Sequence, residues 1–446
     1  MFSKKSYLAL SATALLLLSA CGNGDEIDDT GIGNGNGDAA NDGDFEGATD
    51  DPTELTVWTW DPNFNVVALE MAEERYQEDN PDFSLSIVEN SQEDVVQRLN
   101  TSLSSGVATG LPNIVFIEDY RAPSFLNSYE GSFYALGDYF ETEDFADYKL
   151  AAGTHDDNIY NVPFDTGVTG LYVRTDYLEE AGYSIDDLQD ITWEEYIEIG
   201  EDVYEQTGIS WITNDHGDLG LMRVMMQSSG VWWTEDEDGV TPYIVGNESL
   251  RLAFENYKQM VDAGIMNVHN EWDQFIQTFN NGDVVTVPTG NWINASIMQA
   301  EDQSGNWGIA PIPRQSLDGS VNASNLGGSS IYVLDIDEKE LAAEFLAATF
   351  GSDVDFYQDL LVEIGAMGAY EPATEGEAYE YEAEFYGGQQ IYQDLAEWTQ
   401  EIPEVEFGQR TYEIQDILAV ALQDYLGGAE LDDVIENAQS QAESAM

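Results

Sequence analysis

Basic residues are scarce in this sequence: 13 Lys+Arg stand against 87 Asp+Glu, a formal net charge of -74 over 446 residues. A nucleic-acid duplex, with one negative charge per ~1.7 Å, would be repelled by such a surface, and no basic stripe offsets the field. Nucleic acid is therefore excluded as a partner. Cysteine occurs once, which rules out an internal disulfide and a Cys-rich zinc site. The three histidines, His155, His216 and His269, lie far apart and none belongs to a His-Glu-x-x-His pair. A Gly-x-Ser-x-Gly elbow and a Walker loop are both missing. The alternation Gly31, Gly33, Gly35, Gly37 follows no strand and opens no helix, so it is not a dinucleotide loop. Thr234, Asp236, Asp238 and Gly239 take the spacing of an EF-hand start, but the first ligand is Thr and the twelfth position is Val245. With 87 acids, carboxylate pairs of the kind used in glycoside hydrolysis arise by number alone and carry no signal. No catalytic residue, resident metal or cofactor is expected.

What is present describes a folded chain. Hydrophobic residues make up 43% and aromatics 12%, close to globular usage, and the length suggests two or three structural units. The acids are spread along the chain with few long runs, the pattern of a solvated surface. Self-repulsion at this charge is screened within ~3 Å at 1 M salt, which suits a saline or alkaline habitat.

Lys4 and Lys5 precede an apolar run from Tyr7 to Leu18, too short for a ~30 Å bilayer core but suited to a secretory signal over residues 1–20. Leu18-Ser19-Ala20-Cys21 resembles the lipobox of bacterial lipoproteins, in which the cysteine carries the lipid. Lipidation of Cys21 would hold the protein at the outer face of the cell membrane, and no membrane-spanning segment follows. Residues 22–51 contain eight Gly and eight Asp with almost no large apolar side chain, so 21–52 reads as a flexible acidic tether.

Beyond the tether, Leu55–Trp60 reads as a strand, and Val66, Leu69, Ala72 and Tyr76 recur at helical spacing until Asn80-Pro81. Phe83, Leu85 and Ile87 alternate, Val96, Leu99 and Leu103 mark a second helix, and Asn113–Ile117 is a short apolar run. This β-α-β-α-β order predicts a parallel sheet whose ligands sit beyond the carboxyl ends of its strands. Those ends are Trp60-Asp61, Glu89-Asn90 and Glu118-Asp119-Tyr120. Further strands are expected at Gly170–Arg174, Asp283–Val287, Trp307–Ala310 and Ile331–Leu334. Thr192-Trp193-Glu194-Glu195 has capping-box spacing, and a mostly helical region follows Leu341.

Taken in order, Leu55–Trp60, Pro112–Val115, Ile159–Asp165, Leu171–Asp176, Glu180-Ala181-Gly182, Thr192–Glu195, Asn281-Gly282, Gly290–Trp292, Gly308–Pro313 and Gly327–Ser330 resemble the extracellular solute-binding proteins of ABC importers, family 1, which includes many sugar-binding lipoproteins. The likeness runs from about residue 54 to the C-terminus. It implies an α/β, two-lobe periplasmic-binding-protein-like fold, each lobe a mainly parallel sheet flanked by helices, with the ligand cleft between lobes. Crossings near residues 166, 309 and 352 would give lobe 1 as 53–166 plus 309–352 and lobe 2 as 167–308 plus 353–446.

A sugar offers a C–H ring face and a rim of hydroxyls, so its binder needs flat aromatic surfaces beside carboxylates or amides. Trp60-Asp61, Asp119-Tyr120, Trp272-Asp273 and Asn291-Trp292 each supply that pair near an expected strand end or loop. Asp165, before the first crossing, occupies a position that the resemblance places at the cleft, and Asn325 precedes the Gly327-Gly328 pair. Trp58, alternating onto the same strand face as Trp60, and Trp193 read as core; Trp232-Trp233 fit either a packed hairpin tip or a ligand platform. The expected function is capture of a sugar, most simply an oligosaccharide, by a monomer that delivers it to the permease subunits of an ABC transporter. A polyamine or peptide ligand is the alternative within binding; a surface glycosidase or lyase, or an adhesin, is the alternative outside it.

Overall fold

The computed structural model describes residues 45–62, 64–235, 239–270 and 272–445. The signal over 1–20, the lipidation of Cys21, most of the tether, and Asp236 and Asp238 lie outside them. Among the described residues no helix is long and apolar enough to cross a membrane. The strands are β1 (Glu54–Thr59), β2 (Ser84–Glu89), β3 (Ile114–Glu118), β4 (Thr154–His155), β5 (Asn158–Ile159), β6 (Asn161–Pro163), β7 (Thr169–Arg174), β8 (Ile212–Asn214), β9 (Met266–Val268), β10 (Thr286–Gly290), β11 (Trp307–Ala310) and β12 (Ser329–Val333).

The expected β-α-β-α-β start is what forms. In the first sheet, ordered β2-β1-β3-β12-β6, β1 runs parallel to β2 and to β3, with Val57 opposite both Ile87 and Ile114. The connections are helices Asn65–Gln77 and Gln92–Ser105. The central strand β3 (Ile114-Val115-Phe116-Ile117-Glu118) is apolar up to its last residue because both of its faces are covered. Leu55, Val57, Ile114, Phe116 and Ile331 enter one core, while Trp58, Val115, Ile117 and Tyr332 enter the other.

The second sheet, ordered β10-β7-β11, departs from the mainly parallel expectation, since β7 is antiparallel to both neighbours. Parallel pairing among the described residues there is limited to the short β8–β9 ladder and single bridges, Ser210 with Val284 and Thr192 with Arg314. Apolar patterning marks a strand but not its direction, which depends on the partner the chain returns to. Leu171, Val173 and Ala310 point into one core, and Tyr172, Val287 and Ile309 into its counterpart.

After residue 300 the chain stays with the second sheet for some twenty residues before it returns to the first. Trp307–Ala310 pairs with β7, so residue 309 falls inside a strand of the second sheet. The segment that follows stays there: Arg314 N donates to Ile191 O, Val321 N to Ser228 O and Gln315 Nε2 to Ser249 O. The chain rejoins the first sheet at Ser329, where β12 pairs antiparallel with β3 and β6. Beyond residue 352 the chain feeds both cores: Phe356, Tyr357, Leu360, Tyr370 and Ala373 pack in the first sheet's core, and Leu361, Met367, Tyr379, Phe385 and Ile391 in the second's. Between β6 of the first sheet and β7 of the second the chain passes through residues 164–168.

Candidate ligand-binding site

Three extended segments pass side by side where the chain moves between the sheets: 164–168, 325–329 and 366–369. Thr166 N donates to Met367 O at 3.0 Å, Ala369 N to Phe164 O at 2.9 Å, and Leu326 N to Gly167 O at 2.7 Å. Such close passage restricts side chains. A Cβ at Gly167 would sit 2.7 Å from the Gly327 carbonyl carbon, and Gly328 has φ +89, a conformation that glycine adopts without steric cost.

Most of the polar candidates converge on this place. Asp165 is buried, and its Oδ1 accepts from Ser329 N at 2.7 Å and Ser329 Oγ at 2.8 Å. Burial pushes its carboxyl up to about 6, outweighing the Lys149 charge and the two Ser329 bonds. Asp119 is also buried; Lys149 Nζ donates to its Oδ2 and Ser330 Oγ to its Oδ1 at 2.7 Å. Asn325 Oδ1 accepts from Gly167 N at 3.0 Å, and its Nδ2 donates to Gly327 O at 2.8 Å. Asn291 is buried and its backbone N donates to Val168 O at 2.9 Å, leaving its side-chain oxygen without a hydrogen-bond partner.

The aromatic candidates divide. Trp292 Nε1 donates to Leu326 O at 2.9 Å, which ties its ring to the crossing, and Trp272 lies beside it with ring centroids 5.6 Å apart. Trp272 is 53% exposed, unusual for an indole, and Asp273 beside it at the start of helix Trp272–Asn280 is exposed as well. Trp60 does not share a face with Trp58. Strand β1 ends at Thr59 and Asp61 has φ 58, so the alternation breaks: Trp58 is buried in one core while Trp60 packs edge-on to Phe116 in the other, at 6.3 Å. Trp60 connects to the crossing through Phe116 and Phe164, whose rings are 5.6 Å apart.

Tyr120 leaves the end of β3 and buries its ring in the core of the second sheet, 1% exposed. It lies nearly parallel to Trp232 at 5.6 Å and 16°, meets Phe407 edge-on at 4.5 Å, and its hydroxyl donates to Asn325 O at 3.2 Å. Burial pushes its phenol up to about 12. Around it stand groups that the sequence reasoning missed. Tyr412, on helix Thr411–Leu426, donates its hydroxyl to Glu118 Oε2, with the Arg121 guanidinium 3.8 Å from its ring centre. Arg223, on helix Gly220–Gln227, covers the Tyr120 ring at 4.8 Å. The signal that could have found the arginines was their rarity: one sits three residues after the Glu118 at a strand end.

Among the described residues, Glu130, His155 and Asp156 form the group of three whose ligand atoms lie within 4.8 Å of one another and could hold a cation. They line a cavity of about 160 Å³ with Leu126, Tyr129 and Tyr160, beside the β4–β5 hairpin.

A family model described as bacterial extracellular solute-binding protein matches residues 72–361. The chain is 41% identical over 390 residues to the lactose-binding protein of Rhizobium radiobacter, covering 87% of this chain and 92% of that one. It is 25% identical over 310 residues to the arabinooligosaccharide-binding protein of Halalkalibacterium halodurans, covering 68% of each. A solved extracellular solute-binding protein of family 1 superposes with a TM-score of 0.74 at 18% identity, covering 88% of this chain and 100% of its own, a likeness of fold. The residues matched and the identity to the Rhizobium radiobacter protein together establish that this chain belongs to the bacterial extracellular solute-binding proteins.

Proposed function

We propose that the protein captures a sugar, a disaccharide or longer and galactoside-like, between two lobes built on the two sheets, and delivers it to the permease of an ABC transporter. The observation that carries this is the indole pair Trp272–Trp292: one ring is largely exposed, the pair stands next to the crossing segments, and Asp273 and Asn291 adjoin it. Exposed aromatic faces beside hydroxyl partners are what a sugar ring requires. Similarity to a protein named for lactose binding supports the ligand class. In this reading Trp60 and Asp61 face the sugar from lobe 1, Trp272, Asp273, Asn291 and Trp292 from lobe 2, and Asp119, Tyr120, Asp165 and Asn325 line or brace the cleft. Lobe 1 then comprises about 53–166 and 327–375, and lobe 2 the remainder. Ligand touching both lobes shifts the balance toward closure, and the permease reads the closed form. The protein performs no chemistry on its ligand and is held to the outer face of the membrane through lipid on Cys21, so Cys21→Ser should appear in the medium or stay unprocessed; unchanged membrane retention would reject the anchor.

A thermal-shift panel of lactose, galactobiose, arabino-oligosaccharides, cellobiose and spermidine tests the ligand class. A true ligand at 100 times its dissociation constant stabilises by about 2.7 kcal/mol. Response to spermidine alone would reject the sugar, and release of monosaccharide from any panel member would reject the non-enzymatic role.

A further inference from the structure

Among the described residues, most of the few basic side chains are matched to an acid. Arg75, Lys149, Arg174, Lys258, Arg314 and Arg410 each donate a hydrogen bond to a carboxylate. Arg121 and Arg223 do not. The nearest acid to Arg121 is Glu118, with Nε and Oε2 3.5 Å apart, and that Nε is buried without a hydrogen-bond partner. Arg223 Nη2 stands 3.8 Å from Asp218 Oδ1, and its Nε and Nη1 are buried and partnerless although the residue is only 8% exposed. Both guanidiniums lie within 6 Å of one ring centre, that of Tyr412, at 3.8 and 5.8 Å. Arg121 follows β3 of the first sheet, whereas Arg223 and Tyr412 belong to elements of the second sheet's core, so the pair spans the two halves at the carboxyl end of β3.

Burying a guanidinium with open donors is costly, and a surplus of carboxylates makes the missing acceptor a property of this place and not of supply. A neutral hydroxyl would need only an amide or a single donor. A buried guanidinium with open donors, and a second near the same ring, suit a planar carboxylate, which the guanidinium fork binds through paired hydrogen bonds. We propose that Arg223, assisted by Arg121, receives a carboxylate of the bound saccharide, so that the preferred ligand contains an acidic sugar residue of the hexuronate class. This rests on the reading above that the ligand is a saccharide held between the lobes. The repulsion of an anion by the -74 surface is screened in salt, so the preference is read at high ionic strength.

The test is calorimetry of the full protein at about 0.5 M sodium chloride with two probes that differ only at C6, α-1,4-digalacturonate and α-1,4-galactobiose. The acid should bind at least about tenfold tighter, the scale of one charge-assisted pair. Arg223→Gln should abolish that ratio, and Arg223→Lys, which keeps charge but loses the fork, should retain part of it. Arg121→Gln, at a half-buried position, should reduce the ratio and supplies the measurement if the Arg223 variants do not fold. Equal or weaker binding of the acid, or an unchanged ratio in folded Arg223→Gln, overturns the acidic-ligand proposal and leaves the sugar reading standing. Failure of both probes together with every neutral sugar of the panel overturns the sugar reading itself, and the proposal with it.

Discussion

Asp165 shows how a single residue is decided by its surroundings. Its carboxyl accepts two Ser329 bonds and faces the Lys149 charge, yet burial dominates and lifts it to about 6 from the ordinary aspartate value of 3.8. A carboxyl raised on folding contributes most when protonated, so its contribution falls as pH rises from about 4 to 6 and is flat above. Asp165→Asn, which keeps an acceptor for Ser329 without a charge, should therefore gain stability relative to the parent across that window, by up to about 3 kcal/mol. Paired urea melts at pH 4 and pH 7 check it; a difference that does not grow with pH would contradict the raised value. The tryptophans separate by exposure. Trp272→Ala and Trp292→Ala should each weaken sugar binding by ~1–3 kcal/mol, a figure taken from base stacking, with the fold retained. Trp193, fully buried in the second sheet's core, should instead cost ~3–5 kcal/mol of stability when cut to Ala. Titration calorimetry and melting of the same three variants would show the pattern reversed if the indole pair were merely structural.

At the scale of elements, local chemistry was legible where it acts over a few residues. Thr192 caps helix Trp193–Thr207 as its spacing implied: its hydroxyl accepts from Glu195 N at 3.3 Å, and Thr192 N donates to Glu195 Oε2 at 2.8 Å. Thr192→Ala should cost about 1 kcal/mol, seen as a lower urea midpoint, and Glu195→Gln far less because the amide oxygen still accepts. Periodicity located the helix after β2 but not the centre of its buried face: Val95 is fully buried with Leu99 and Leu103, since the four-residue step brings it directly above Leu99, while Val96 packs partly buried against the same core. The same limit placed Trp60 on the wrong face, because alternation persists only while the strand does, and β1 ends at Thr59.

For the whole molecule the governing quantity is charge. At -74, repulsion among surface carboxylates opposes compaction, and salt screens it. The melting temperature should rise between roughly 0.1 M and 2 M sodium chloride, while binding of a neutral sugar, which depends on stacking and hydroxyl bonds, should persist. A flat melting temperature across that range would show that the acids are spaced widely enough not to matter.

The sequence by itself determined the acidic composition, the opening β-α-β-α-β and the family resemblance, because each depends on composition or on neighbours a few residues apart. Only the tertiary structure decided where the chain changes sheets, which strands run antiparallel and which polar residues meet. The bond from Ser330 to Asp119 spans 211 residues and that from Tyr412 to Glu118 spans 294. Contacts at such separation leave no period in the local pattern. They arise when two independently covered sheets are pressed together, and it is there that Arg223, Tyr120 and Tyr412 acquire a common environment.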